Sequence, residues 1–184
     1  MKRLFLALML VVLMMPSAFA GFDEGVVTYE RKDYATALKE FWPLAHQNDA
    51  RAQHNLAVMY RIGLGISQDY KEAVKWYRFA AEQGFAPAQN GLGVMYYNGE
   101  GVLQDFKEAV KWYRLAADNG SATAQNNLGA LYKDGIGVSQ HQTVAYALFN
   151  LAAASDTKGG IASIVRDEIK ERLSPKGIND GQML

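Results

Sequence analysis

A period of 36 residues constrains this chain more than any other feature of its sequence. Residues 52–84 read AQHNLAVMYRIGLGISQDYKEAVKWYRFAAEQG, and residues 88–120 read AQNGLGVMYYNGEGVLQDFKEAVKWYRLAADNG. A third unit opens at Ala124 with AQNNLGALYKDGIGVSQ, at the same offset and with no insertion. A unit of this length is one supersecondary element that cannot bury its apolar face alone, so successive units must stack along an axis. Positions kept from unit to unit then report packing, and positions that vary are free for other work.

The kept positions have helical spacing. Ala52, Leu56 and Tyr60 recur as Ala88, Leu92 and Tyr96 and as Ala124, Leu128 and Tyr132, one stripe four residues apart. In the second half of the unit, Ala73, Tyr77, Ala80 and Ala81 recur as Ala109, Tyr113, Ala116 and Ala117, then as Ala145, Phe149, Ala152 and Ala153. The small alanines let two helices approach closely, and the tyrosines fill the gaps between layers. Trp76 and Trp112 precede those tyrosines, with Leu148 in the third unit. Aromatic residues repeated at this spacing are read as core, not as a ligand cage. Tyr96 is assigned to that core, where truncation to Ala costs about 3–5 kcal/mol.

Helix boundaries are also written in the residues. Asp69 with Glu72 and Asp105 with Glu108 are spaced as capping boxes that open the second helix of a pair, and Ser139 with Gln142 has that spacing in the third unit. Gly84, Gly120 and, earlier, Asn48 stand where a helix ends in a left-handed residue. The loops around Gly63 and Gly65, Gly99 and Gly101, and Gly135 and Gly137 lack the Lys-Ser/Thr of a phosphate cradle and recur as structural turns. Asp33, Ala37, Phe41 and Ala45 lie 36 before Asp69, Ala73, Tyr77 and Ala81, so residues 21–48 form a degenerate first pair with a shorter loop. Units follow at 49–84, 85–120 and 121–156, and 157–184 supplies a capping helix and tail. In that helix Ile161, Ile164, Val165, Ile169 and Leu173 share an apolar side, as the exposed end of a stacked array requires. The expected fold is all-α: about nine helices, four antiparallel pairs and a cap.

The pattern A-x3-L-G-x2-Y-x2-G-x-G-V-x2-D-x2-A-x2-W-Y-x2-A-A-x2-G resembles the Sel-one-like repeat, a relative of the tetratricopeptide repeat. It covers residues 50–155 strongly and 22–48 weakly, and the end of the chain resembles that of short exported bacterial members. The third unit departs from it, with His141 for the loop Asp and Leu148 for Trp. The resemblance implies a right-handed α-solenoid whose first helices line a concave surface for partner proteins. A cysteine-rich branch carries a disulfide in each repeat; this chain has no cysteine.

At the N-terminus, Lys2 and Arg3 precede an apolar run from Leu4 to Met15, and Ala18, Phe19 and Ala20 follow Pro16 and Ser17. This is the pattern of a secretory leader, residues 1–20, with cleavage after Ala20. The run is shorter than the roughly 20 residues of a spanning helix, which argues against an uncleaved anchor, and no cysteine follows for lipid attachment. Residues 21–184 then form a single repeat domain in the periplasm or outside the cell, with no stable membrane insertion. Of 19 basic and 19 acidic residues in the chain, loss of Lys2 and Arg3 leaves 17 against 19. That balance offers no basic footprint for nucleic acid and no polybasic patch for a membrane surface. With no cysteine, packing alone must hold the exported fold, and thiol catalysis is excluded.

Little else points to chemistry. His46, His54 and His141 lack metal-site spacing, and no cofactor motif is present. Ser155 and Lys158 match the S-x-x-K of penicillin-recognising enzymes without its partner motifs, and are read as a solvated turn. Binding is expected where the units differ on their first helices. His54 becomes Asn90 and Asn126, Arg61 becomes Tyr97 and Lys133, and Asn55 becomes Gly91 and Asn127. The expected partner-binding set is therefore His54, Arg61, Asn90, Tyr97, Asn126 and Lys133, with Tyr and Arg types common in interface hot spots. The function read from the sequence is a non-enzymatic, exported scaffold for an envelope, secreted or host protein. The alternatives are an envelope hydrolase of the penicillin-recognising type or a cell-wall glycan-binding module.

Overall fold

Short polar side chains start most of the helices. In the computed structural model, which describes residues 18–155, 160–173 and 178, Asp49, Asp69 and Asp105 each accept two backbone N–H bonds from the following turn. Asp33 and Ser121 accept one each. These caps satisfy amide donors that a helix N-terminus otherwise leaves unpaired. The elements are α1 (Ala18–Glu30), α2 (Tyr34–His46), α3 (Ala50–Ile62), α4 (Tyr70–Glu82), α5 (Ala86–Asn98), α6 (Phe106–Asp118), α7 (Ala122–Asp134), α8 (Gln142–Ala154) and α9 (Ile161–Arg172). All described elements are helices, and each packs on the one before it and the one after it. The chain is an all-α solenoid of four helix pairs closed by α9.

Two capping expectations are corrected. The capping boxes form only by half: Glu72 and Glu108 pair with Lys75 and Lys111, while the Asp69 and Asp105 amides donate to the carbonyls of Tyr60 and Tyr96. The Glu side chains therefore have no donor left to reach. In the third unit the cap of α8 is His141, not Ser139; its Nδ1 accepts a long bond from the Val144 amide at 3.4 Å. His141 occupies the position of Asp69 and Asp105 in the period, and its ring nitrogen takes over the carboxylate's acceptor role.

First helices end at Gly63, Gly99 and Gly135, with φ of 73°, 72° and 72°. Asn48, Gly84 and Gly120 end the second helices in the same left-handed region. Gly101 adds a steric reason to the conformational one, because a Cβ there would fall onto the Tyr70 carbonyl. The loop of each unit is thereby clasped against the start of the preceding second helix.

The repeated stripe is the core. Ala52, Leu56, Ala73, Tyr77, Ala80 and their counterparts through Ala145 and Phe149 are buried in contiguous clusters. Tyr96 is half-buried instead: its ring packs on the core while its hydroxyl reaches outward to accept from Arg78 at 2.6 Å. Tyr132 repeats this with Arg114 at 2.6 Å. In α9, Ala162 and Ile169 are buried and Val165 and Leu173 pack beneath it, whereas Ile164 is 66% exposed. Ile164 was expected on the apolar side; rotation of α9 gives Ala162 that place and turns Ile164 outward.

A polar ladder runs beside the apolar one. Gln53 and Gln89, both buried, donate to the carbonyls of Ala45 and Ala81 at 3.1 Å, and Gln125 does so to Ala117. Each bond ties a first helix to the C-terminal turn of the helix before it, adding a second donor to a carbonyl that already accepts a backbone amide there. Gln83 and Asn119 then donate to Gln53 and Gln89.

Candidate protein-binding face

The varied positions fall on one face, formed by α3, α5 and α7. They divide into residues engaged within the chain and residues that border open space. Arg61, on the last turn of α3, donates from Nε to Glu100 at 2.8 Å, and Asn98 braces the same carboxylate at 2.9 Å. Burial raises the Tyr77 hydroxyl to about 12, a rise that the adjacent Arg61 guanidinium opposes. Arg61 is therefore a strut between α3 and the loop after α5, with part of its side chain still exposed.

His54 lies between the rings of Tyr77 and Phe85, at 5.6 and 5.5 Å. Burial lowers its pKa to about 4, so it is neutral near pH 7. Asn90, its counterpart on α5, accepts from Asn127 at 3.0 Å and so links α5 to α7. Asn126 is half-buried. Lys133 stands 3.9 Å from Asp134. Tyr97 turns its ring onto Phe106, 5.4 Å away.

Beside Tyr97 the face opens into a cleft of about 270 Å³ between α5 and α7. Val94, Ala130 and Ile136 supply apolar wall, Tyr113 lies on the α6 side, and Asn127 and Asp134 bring polar groups. Of the six residues expected from the sequence, only Tyr97 lines it. Val94, Ala130, Asp134 and Ile136 are not marked by variation on the first-helix stripe, since Val94 and Ala130 change little from Val58 and the other two stand at or past the helix end. The signal lies just past the expected position, where Asn98 becomes Asp134 and Glu100 becomes Ile136.

The outer helices carry a second feature. Phe79, Leu115 and Leu151, at one position of the period on α4, α6 and α8, are each about 40% exposed. Ser155 is exposed at the end of α8, and Lys158 lies outside the described residues, as do residues 1–17 of the expected leader. Among the described residues, no group of three or more His, Asp or Glu stands ready to hold a metal ion, and no helix is long and apolar enough to cross a membrane.

Stacked helix pairs with a packed, repeated interior and a varied first-helix face define a repeat solenoid, a class that generally serves as a protein-interaction scaffold. The chain belongs to the Sel1 repeat family, whose repeat matches residues 50–85, 86–121 and 122–156. Among solved structures, a Sel1 repeat protein from Oxalobacter formigenes is similar, with 35% identity and a TM-score of 0.70 over 74% of this chain and 56% of that one. So is c5321, a protective antigen present in uropathogenic Escherichia coli strains and displaying this repeat fold. Its identity is 34% and its TM-score 0.70, over 75% of this chain and 30% of that one. The chain thus spans about half of the first protein and under a third of the second. No curated protein matches it.

Proposed function

We propose that the protein is exported by its N-terminal leader and acts outside the cytoplasm as a scaffold, holding a partner protein on the concave face formed by α3, α5 and α7. One observation carries the reading: on that face Arg61 becomes Tyr97 and then Lys133, and Tyr97 borders an open cleft of about 270 Å³, while the packed positions beneath hardly change. A surface that varies over an unvarying core is free to be shaped by what binds it. Similarity to a protective antigen supports a location outside the cytoplasm. The partner classes in view are envelope assembly proteins, secreted effectors and host surface proteins.

A photo-crosslinking residue placed at Tyr97, compared with one at Leu115 on the outer helices, tests the scaffold in intact cells. A discrete protein adduct at Tyr97 that disappears with Ala130→Trp, which fills the cleft, is the expected result. Equal adducts at both sites, or none at Tyr97, would remove the proposal. Export is read separately from the N-terminus of the mature protein, expected at Gly21. Labelling of Ser155 by a fluorescent penicillin, lost in Ser155→Ala, would move the hydrolase alternative ahead.

A further inference from the structure

The repeat provides its own reference for what the open cleft accepts. The positions lining the α5–α7 cleft, moved back by one period of 36, include Arg61 itself and the groups it engages at the α3–α5 joint, Tyr77 and Glu100 with its brace Asn98. At that earlier joint the space is filled by the chain itself. The Arg61 guanidinium lies beside the Tyr77 hydroxyl and donates to a carboxylate, Glu100, that Asn98 steadies. At the later joint Tyr97 stands where Arg61 stood, and its ring leans away onto Phe106. Tyr113 keeps the place of Tyr77. Ile136 removes the carboxylate of Glu100, but Asp134 restores one at the place of Asn98. The cleft thus retains a tyrosine, an acidic group and apolar walls, and its lining includes no Lys, Arg or His.

We infer that the cleft between α5 and α7 receives an arginine side chain of the partner protein, in the place that Arg61 fills at the preceding joint. The inference rests on the proposed scaffold role and specifies the chemistry of its partner. Guanidinium suits the site because its faces are weakly hydrated and stack on aromatic rings, while its edge donates to a carboxylate in a fixed fork. Val94, Tyr97 and Ala130 offer the apolar surface, and Asp134, about half exposed at the rim, offers the acceptor. Lys133 is the competitor for that carboxylate. At 3.9 Å it makes only a long ion pair, one that an incoming guanidinium can replace.

The test is an NMR titration of the protein, purified as the cell processes it, with acetyl-Ala-Arg-Ala-amide and with the same peptide carrying citrulline. Citrulline keeps the shape and removes the charge. The amide signals followed are the Asn127 side chain and the backbones of Ala130 and Ile136. The arginine peptide should shift these signals and bind roughly fivefold or more tightly than the citrulline peptide. Asp134→Asn should bring the two peptides level. Tyr97→Arg combined with Ile136→Glu rebuilds the occupied joint and should abolish both sets of shifts. Equal binding of the two peptides, shifts confined to another face, or an unchanged preference in Asp134→Asn overturns the inference. If a partner crosslinks at Tyr97 while the arginine peptide does not bind, the scaffold reading stands and the arginine assignment falls. Peptide binding without a crosslinked protein gives the reverse.

Discussion

His54 pays for its place between Tyr77 and Phe85 with its proton. Burial lowers its pKa from 6.5 to about 4, so the unfolded chain takes up a proton before the folded one does. The stability tied to the neutral ring is therefore fully present above pH 6.5 and is lost as pH falls toward about 4. Between pH 7 and pH 5 the loss should be roughly 1–2 kcal/mol. His54→Asn, the residue type found at positions 90 and 126, should flatten that slope in denaturant titrations at the two pH values. The tyrosines provide a second residue-scale test. Tyr113, 4% exposed, should cost about 3–5 kcal/mol on truncation to Ala, as buried aromatics do. Tyr96, half-buried, should cost less, and thermal unfolding that ranked them the other way would contradict the burial pattern. The sequence made Tyr77 and Tyr113 legible as core because helical spacing alone decides which residues share a buried stripe. Tyr96 shares that spacing, yet its outward hydroxyl depends on Arg78, a residue of the preceding helix that no periodicity within α5 announces.

Most helices begin and end through their own local chemistry, which is why their order and approximate ends could be read before any contact was known. Asp105 accepts both Lys107 and Glu108 amides, so Asp105→Ala should cost about 1 kcal/mol. Glu108 only pairs with Lys111 on an exposed surface, and Glu108→Ala should cost no more than about 0.5 kcal/mol. Comparing the two by urea unfolding separates a cap from a half-formed capping box. Contacts between units were not legible. Asn127 with Asn90 and Arg61 with Glu100 lie 37 and 39 positions apart. Those separations are set by how one unit settles on the next, a displacement that helical periodicity does not contain. The cleft beside Tyr97 was hidden for the same reason: it belongs to a joint, not to a helix.

Across the whole molecule, packing passes from each helix to its sequence neighbours and rarely further, so damage should stay close to where it is made. Ile169 is buried under the cap, and Ile169→Ala should cost about 2–5 kcal/mol. Hydrogen exchange in that variant should quicken in α8 and α9 while α3 and α4 keep their protection. A uniform rise along the chain would instead show one cooperative body. Similar units need not be exchangeable ones, however. Gly91 lies so close to Tyr77 that a Cβ there would stand 2.6 Å from the ring, while the equivalent position in the next unit is Asn127. Transposing those two units would drive an asparagine into that tyrosine. That joint therefore acts as an address: it accepts one unit and excludes the next, and so fixes their order in the array.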